Sequence, residues 1–384
     1  MNRALARAAC VALLPLLGAC STLDSLNPFA SKPGGPKMAE LKAITASADT
    51  RVVWRDSVGK AGDYVLVPAV VGSSVYAVGR DGALTRFDNG RQVWRVKLGQ
   101  TISGGVGASE RMVVVGTPKG EILAFNAADG AALWTSRATS EVLSPPVIAD
   151  DAVVVRSGDN RLAAFELADG KRRWVYQRPS TPLSVRVTAA PLVADRFVFA
   201  GFPGGKLVAV SLGNGAPMWE GAVAVPKGVT ELDRVADITS VPVIDGREIC
   251  AVAFQGRVAC FDLGNGSLVW ARELSSAAGL AIDSRYVYVS DDKGAVHALD
   301  RNSGASIWKQ DRLFLRRLTA PLARRGLVVV ADVQGVVHFL NREDGAFAAR
   351  QTTDGSPVLA PLQANTDGVV VQTSNGSIYA IEMQ

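Results

Sequence analysis

The chain is poor in the groups that enzymes use. Its 384 residues hold only two histidines, His297 and His338, and four cysteines. The histidines fill matching slots in the similar segments VHAL and VHFL, and two ligands without a third do not make a metal site. No glycine-rich phosphate loop leads from a strand into a helix, and no serine or cysteine nucleophile sits in a recognisable catalytic motif. The carboxylates Asp291 and Asp292 fall at a hairpin, where turn geometry and solvent account for them. Charge excludes a further class. Lys and Arg number 41 against 36 Asp and Glu, a net charge of +5, and no dense basic patch is interleaved with aromatics. Nucleic acid is therefore not the expected partner. Helical periodicity is missing after about residue 48, so the expected class is all-β.

What is present is a ruler of tryptophans. All seven stand on it: Trp54, Trp94, Trp134, Trp174, Trp219, Trp270 and Trp308, with gaps of 40, 40, 40, 45, 51 and 38 residues. A period of roughly 40 residues marks a repeat architecture. Each unit contains four short apolar runs separated by turns. In the segment 145–176 the runs are Pro145–Ile148, Ala152–Val155, Leu162–Glu166 and Lys171–Tyr176. The turn before the tryptophan recurs as Asn89-Gly90, Asp129-Gly130, Asp169-Gly170, Asn214-Gly215, Asn265-Gly266 and Ser303-Gly304, each four residues ahead of the indole. Such pairs supply the positive φ of a tight reverse turn. Four strands per unit make a propeller blade, and a large flat ring fits the flare between blades. The tryptophans therefore read as packing residues.

Eight hairpins but seven tryptophans imply eight blades. Asp344-Gly345 opens one more outer strand, yet Ala349 stands in its tryptophan slot. Trp54 precedes the first hairpin, and the last hairpin, Gly368 to Glu382, lacks an outer strand. Arg51 to Ser57 is expected to supply it, locking the ring and leaving no open sheet edge at the seam.

The N-terminus reads as an address. Arg3 and Arg7 precede an apolar stretch, Ala8 to Leu17, that is too short to span a bilayer and ends in Leu17-Gly18-Ala19-Cys20. This is similar to a bacterial lipobox, which implies a lipoprotein signal peptide over residues 1–19 and lipidation of Cys20. Residue 21 is Ser and not Asp; by resemblance to Gram-negative lipoproteins, this implies the periplasmic face of the outer membrane, held by lipid only. Residues 20–48 read as a lipidated, flexible tether, and 49–384 as the propeller. Loss of the leader would bring the charge from +5 to +3, by subtraction of Arg3 and Arg7. Cys250 and Cys260 lie on opposite arms of one hairpin, and the loop length leaves open whether they face each other and bond.

Two connections break the period: Gln177 to Thr188 and Gly221 to Thr239. Both link an outer strand to the next inner strand, so both belong to one face of the disc, where binding concentrates. Leu183, Val185 and Arg186 in the first, and Glu231, Asp233, Arg234 and Asp237 in the second, are the candidate contacts. Arg186 could also pair internally with Asp237.

The lipobox, the G-x-x-x-W blades and the segment Glu231-Leu232-Asp233-Arg234-Val235-Ala236-Asp237 together resemble the BamB family, lipoprotein subunits of the outer-membrane β-barrel assembly machine. The resemblance spans essentially the whole chain and implies a non-enzymatic scaffold without a cofactor. It implies binding to the periplasmic POTRA region of BamA through the two long loops, with other subunits of the machine and unfolded outer-membrane proteins as further candidate partners. By that likeness Leu183, Val185 and Arg186 match an L-x-[LV]-R stretch, and Asp237 the first acid of a D-x-D pair; Thr239 replaces the second. The alternatives are a quinone-dependent dehydrogenase on the same blades, which would be longer and commonly carries adjacent cysteines, or a generic periplasmic scaffold.

Overall fold

The computed structural model describes residues 35–179 and 183–383. The expected leader, Cys20 and the first part of the tether lie outside the described residues. Among the described residues, thirty-two strands form eight antiparallel sheets of four. Seven of these run in chain order through residues 69–97, 104–137, 147–177, 192–222, 243–273, 279–310 and 322–352, and are numbered here as blades one to seven. Blade eight joins the last three strands to Thr50–Ser57, which pairs with Ser377–Met383. The ring of eight blades is therefore closed by the strand expected from the sequence. Within a blade the strands are termed a to d, from axis to rim.

The apolar runs explain the strands. In blade three, strand b (Ala152–Arg156) is buried along its whole length, and strand c (Arg161–Glu166) is buried at its four central residues. Both faces of these strands meet neighbouring sheets, so they carry no polar alternation. Strand d (Arg172–Gln177) lies at the rim and is partly exposed. The cores lie between blades, not within them. Ala152, Val154 and Leu162 of blade three pack with Val198, Phe202 and Val208 of blade four.

The tryptophans close these junctions, as the sequence implies. In every blade the c–d ladder slips by one residue at the tryptophan slot. The bulge adds twist and re-aims the side chains around it. In most blades the extra residue faces outward, leaving Val53, Val93, Leu133, Met218, Val269 and Ile307 about half exposed. The indole that follows turns onto the next blade. The Nε1–H groups of Trp94, Trp134, Trp174, Trp219, Trp270 and Trp308 donate to main-chain carbonyls there at 2.7–3.1 Å. The receiving turn needs glycine for two reasons. At Gly170 φ is +71°, and a Cβ would sit 2.5 Å from Cε3 of Trp134. Trp54 lies instead over Phe87, with ring centroids 5.7 Å apart.

Cys250 and Cys260 face each other across the b–c ladder of blade five and are disulfide-bonded. The expected tether does not extend to residue 48. Ala39 N–H donates to Phe314 O, and Ser47 and Ala48 N–H both donate to Ala348 O. Leu41 and Ile44 pack on the cluster that holds Trp308 and Phe347. Two apolar side chains three residues apart thus turn 39–48 into a strap across blades six and seven, where burial offsets the loss of chain freedom.

Candidate functional site

Because strands alternate in direction, the d–a connections and the b–c hairpins share one face. The two long connections meet there. Asp237 joins them: its Oδ2 accepts the Val185 N–H at 2.6 Å, and its Oδ1 accepts the Gly204 N–H at 3.0 Å. Its own carbonyl accepts Phe254 N–H from blade five. The Asp237 side chain is thus inward, with the residue 1 % exposed. The adjacent Ile238 packs against Gly201, whose missing side chain leaves the room it needs. The carboxylate also faces the buried Arg156, whose guanidinium lies over the Phe202 ring at 5.3 Å and donates to Asn160 Oδ1. Burial pushes the Arg156 pKa down to about 10, and Asp237 opposes the shift.

Arg186 does not pair with Asp237. Its guanidinium grips both oxygens of Glu141, at 2.6 and 3.2 Å, from the connection between blades two and three. The side chain stays 62 % exposed. A bidentate grip of this kind orients the guanidinium without hiding it. Asp233 and Arg234 sit on an exposed turn. Asp233 accepts the Thr230 hydroxyl at 2.7 Å and the Thr230 N–H at 3.1 Å, which hold its carboxyl below the usual range. Arg234 donates to Gly228 O and lies 3.8 Å from Glu231. Around these charges stand exposed apolar side chains: Leu183, Val225, Val229 and Leu232, the last two 92 % and 72 % exposed. An apolar centre with a charged surround is what a protein interface requires.

The candidates therefore divide. Leu183, Arg186, Asp233 and Arg234 face solvent, Val185 is half-buried, and Asp237 is interior. Sequence reasoning missed Arg156 and Glu141. Arg156 carried a signal, being an arginine at the end of the uninterrupted apolar strand AVVV; Glu141 carried none.

The histidines occupy a second place on the same face. His297 Nε2 lies 2.9 Å from Asp291 Oδ2, and His338 Nε2 lies 2.8 Å from Asp332 Oδ2. Asp291 also accepts the Lys293 and Ala295 N–H groups, so the expected turn role holds and a histidine partner is added. Among the described residues no group of three or more His, Cys, Asp or Glu is placed to hold a metal ion.

The family model of outer membrane protein assembly factor BamB matches residues 80–310, a span that contains both long connections. The outer membrane protein assembly factor BamB of Bordetella pertussis is 40 % identical over 362 residues, covering 94 % of each chain. The crystal structure of BamB from Moraxella catarrhalis superposes with a TM-score of 0.82 at 28 % identity, covering 87 % of this chain and all of that one. This chain belongs to the BamB family. The quinohemoprotein alcohol dehydrogenase of Comamonas testosteroni shares the fold alone, at 12 % identity and a TM-score of 0.71. BamB membership places the chain among non-enzymatic assembly factors and not among the quinone dehydrogenases.

Proposed function

We propose that this BamB-family propeller is a scaffold whose long-loop face binds the periplasmic POTRA region of BamA, promoting assembly and insertion of β-barrel proteins. Lipid on Cys20 holds it at the periplasmic side of the outer membrane. Leu183, Val185, Arg186, Asp233 and Arg234 form the contact surface. One observation carries this reading: Asp237 bonds one loop to the other, so a surface drawn from both loops is built before any partner arrives. Preorganisation of this kind lowers the ordering cost of binding. Asp237 then serves as a positioning residue under the surface.

The test is crosslinking from position 186 in cell envelopes, with Arg186→Glu measured alongside. The captured chain is expected to be the barrel subunit. Arg186→Glu is expected to weaken its binding roughly 30-fold or more, the scale of an interfacial arginine hot spot. Thermal stability should barely move, because an exposed ion pair contributes only about 0.2–1 kcal/mol. Asp237→Ala should instead lower stability by about 1–3 kcal/mol, since it leaves the Val185 and Gly204 N–H groups without their acceptor. Capture of a different chain, or equal losses of stability in the two variants, would overturn the assignment.

A further inference from the structure

The strap 39–48 is held at two points by arginines, one bonded to the buried carboxylate of Asp332 and the other linked to it through His338. Arg316 is 1 % exposed. Its Nε donates to Asp332 Oδ2 at 2.6 Å, its Nη2 to Gln334 Oε1 at 2.7 Å and its Nη1 to the strap carbonyl of Ala39 at 2.9 Å. Arg350 donates through Nη1 to the strap carbonyl of Lys42 and through Nε to His338 Nδ1 at 3.3 Å. His338 completes the circuit with Nε2 on Asp332.

These contacts fix the state of the imidazole. Arginine donates only, so Nδ1 of His338 must carry a lone pair, and the ring proton sits on Nε2, donated to Asp332. The ring is neutral. A second proton can enter only at Nδ1, which points at the Arg350 guanidinium. With His338 fully buried, two facing cations would meet where water cannot screen them.

We propose that Asp332, His338 and Arg350 form a proton-operated latch on the N-terminal strap: protonation of His338 drives Arg350 off Lys42 and lifts residues 39–48 from blades six and seven. The charged groups around His338 come from each element packed on it. Asp332 belongs to the b–c hairpin and Arg350 to strand d; Arg316 comes from the connection between blades six and seven. Arg312, on the same connection, adds to the positive field at Arg350. The strap's own Glu40 and Lys42 share with Arg312 and Arg350 a recess of about 250 Å³. Phe347 backs the group, with both Arg350 and Arg312 over its ring at 4.5 and 5.2 Å. His297, the matching histidine of blade six, faces Lys309 across its ladder in place of an arginine, and so provides an internal contrast.

Burial holds His338 below its ordinary value; Asp332 opposes that, and Arg350 and Arg316 reinforce it. Lifting the strap removes Arg350 from the ring and relieves part of that depression. The closed state is therefore fully favoured at higher pH and is lost as pH falls toward the depressed value.

Amide hydrogen exchange of the full-length protein in detergent, from about pH 7.5 to about pH 4.5, reads the latch through the Ser47 and Ala48 N–H groups. After correction for intrinsic rates, their protection should fall as pH drops, by up to about tenfold per unit as one proton allows, and then level off. His338→Gln, which cannot take up the proton, should give a flat profile. In the unaltered protein the opening midpoint should coincide with the ring titration of His338 followed by NMR, which needs no variant. Constant protection across the range overturns the latch. So does a fall of the same size in His338→Gln, or an opening midpoint that tracks no histidine.

Discussion

Seven junctions between blades are sealed by an indole, and the junction between blades seven and eight is not. The difference lies in the receiver. A tryptophan on one blade needs, on the next, a c–d turn that offers a glycine and a free carbonyl. Blade eight has no such turn, because its strand d comes from Thr50–Ser57 and does not follow its strand c in sequence. Ala349 occupies the slot, and the volume is filled from the other end of the sequence. Ala48 packs on the Ala349 cluster, and Gln351 Nε2 donates to Thr50 O at 2.7 Å. The missing tryptophan is a consequence of how the ring closes and not a lapse of the repeat.

The largest way to break this comparison is to remove the closing segment. A chain starting after Ser57 loses both the rim strand of blade eight and Trp54. The orphaned edge at 377–383 should pair with other molecules, and the loss should exceed a typical total stability of about 5–15 kcal/mol. Size-exclusion chromatography is expected to show aggregate and no folded monomer. A smaller effect is expected at one regular junction. Trp174→Ala should cost about 3–5 kcal/mol in urea denaturation, the range for deleting a buried large ring. Restoring the repeat at the seam gives the smallest and most pointed result. Ala349→Trp should destabilise by about 1–3 kcal/mol, because the space already holds the strap. Stabilisation by that substitution would mean that the missing receiver is not the reason for alanine.

Most of the fold was legible because it is periodic. An X-Gly turn, most often Asn-Gly or Asp-Gly, marks the c–d hairpin of seven blades, and the indoles mark every junction but one. What was not legible depends on three-dimensional neighbours. Leu41 and Ile44 are the two large apolar residues of a stretch otherwise made of alanines and polar residues, too few to announce a docked strap. In ELDRVAD nothing tells Asp233 from Asp237, yet one lies on an open turn and the other beneath the loops. The pairing of Cys250 with Cys260 hung on a register that the hairpin length left free. For the candidate site, position on the loops was readable, but direction was not; the grip of Glu141 on Arg186 joins residues 45 apart in sequence.

Joining the first strand to the last also sets an order of events. Synthesis yields residues 50–57 well before 377–383, so the first strand waits for its partner while the seven sheets between them form. Bringing those ends together is a long-range closure, slow by nature, and an exposed edge invites mispairing for as long as it lasts. An outer membrane protein assembly factor therefore carries an assembly hazard of its own during maturation.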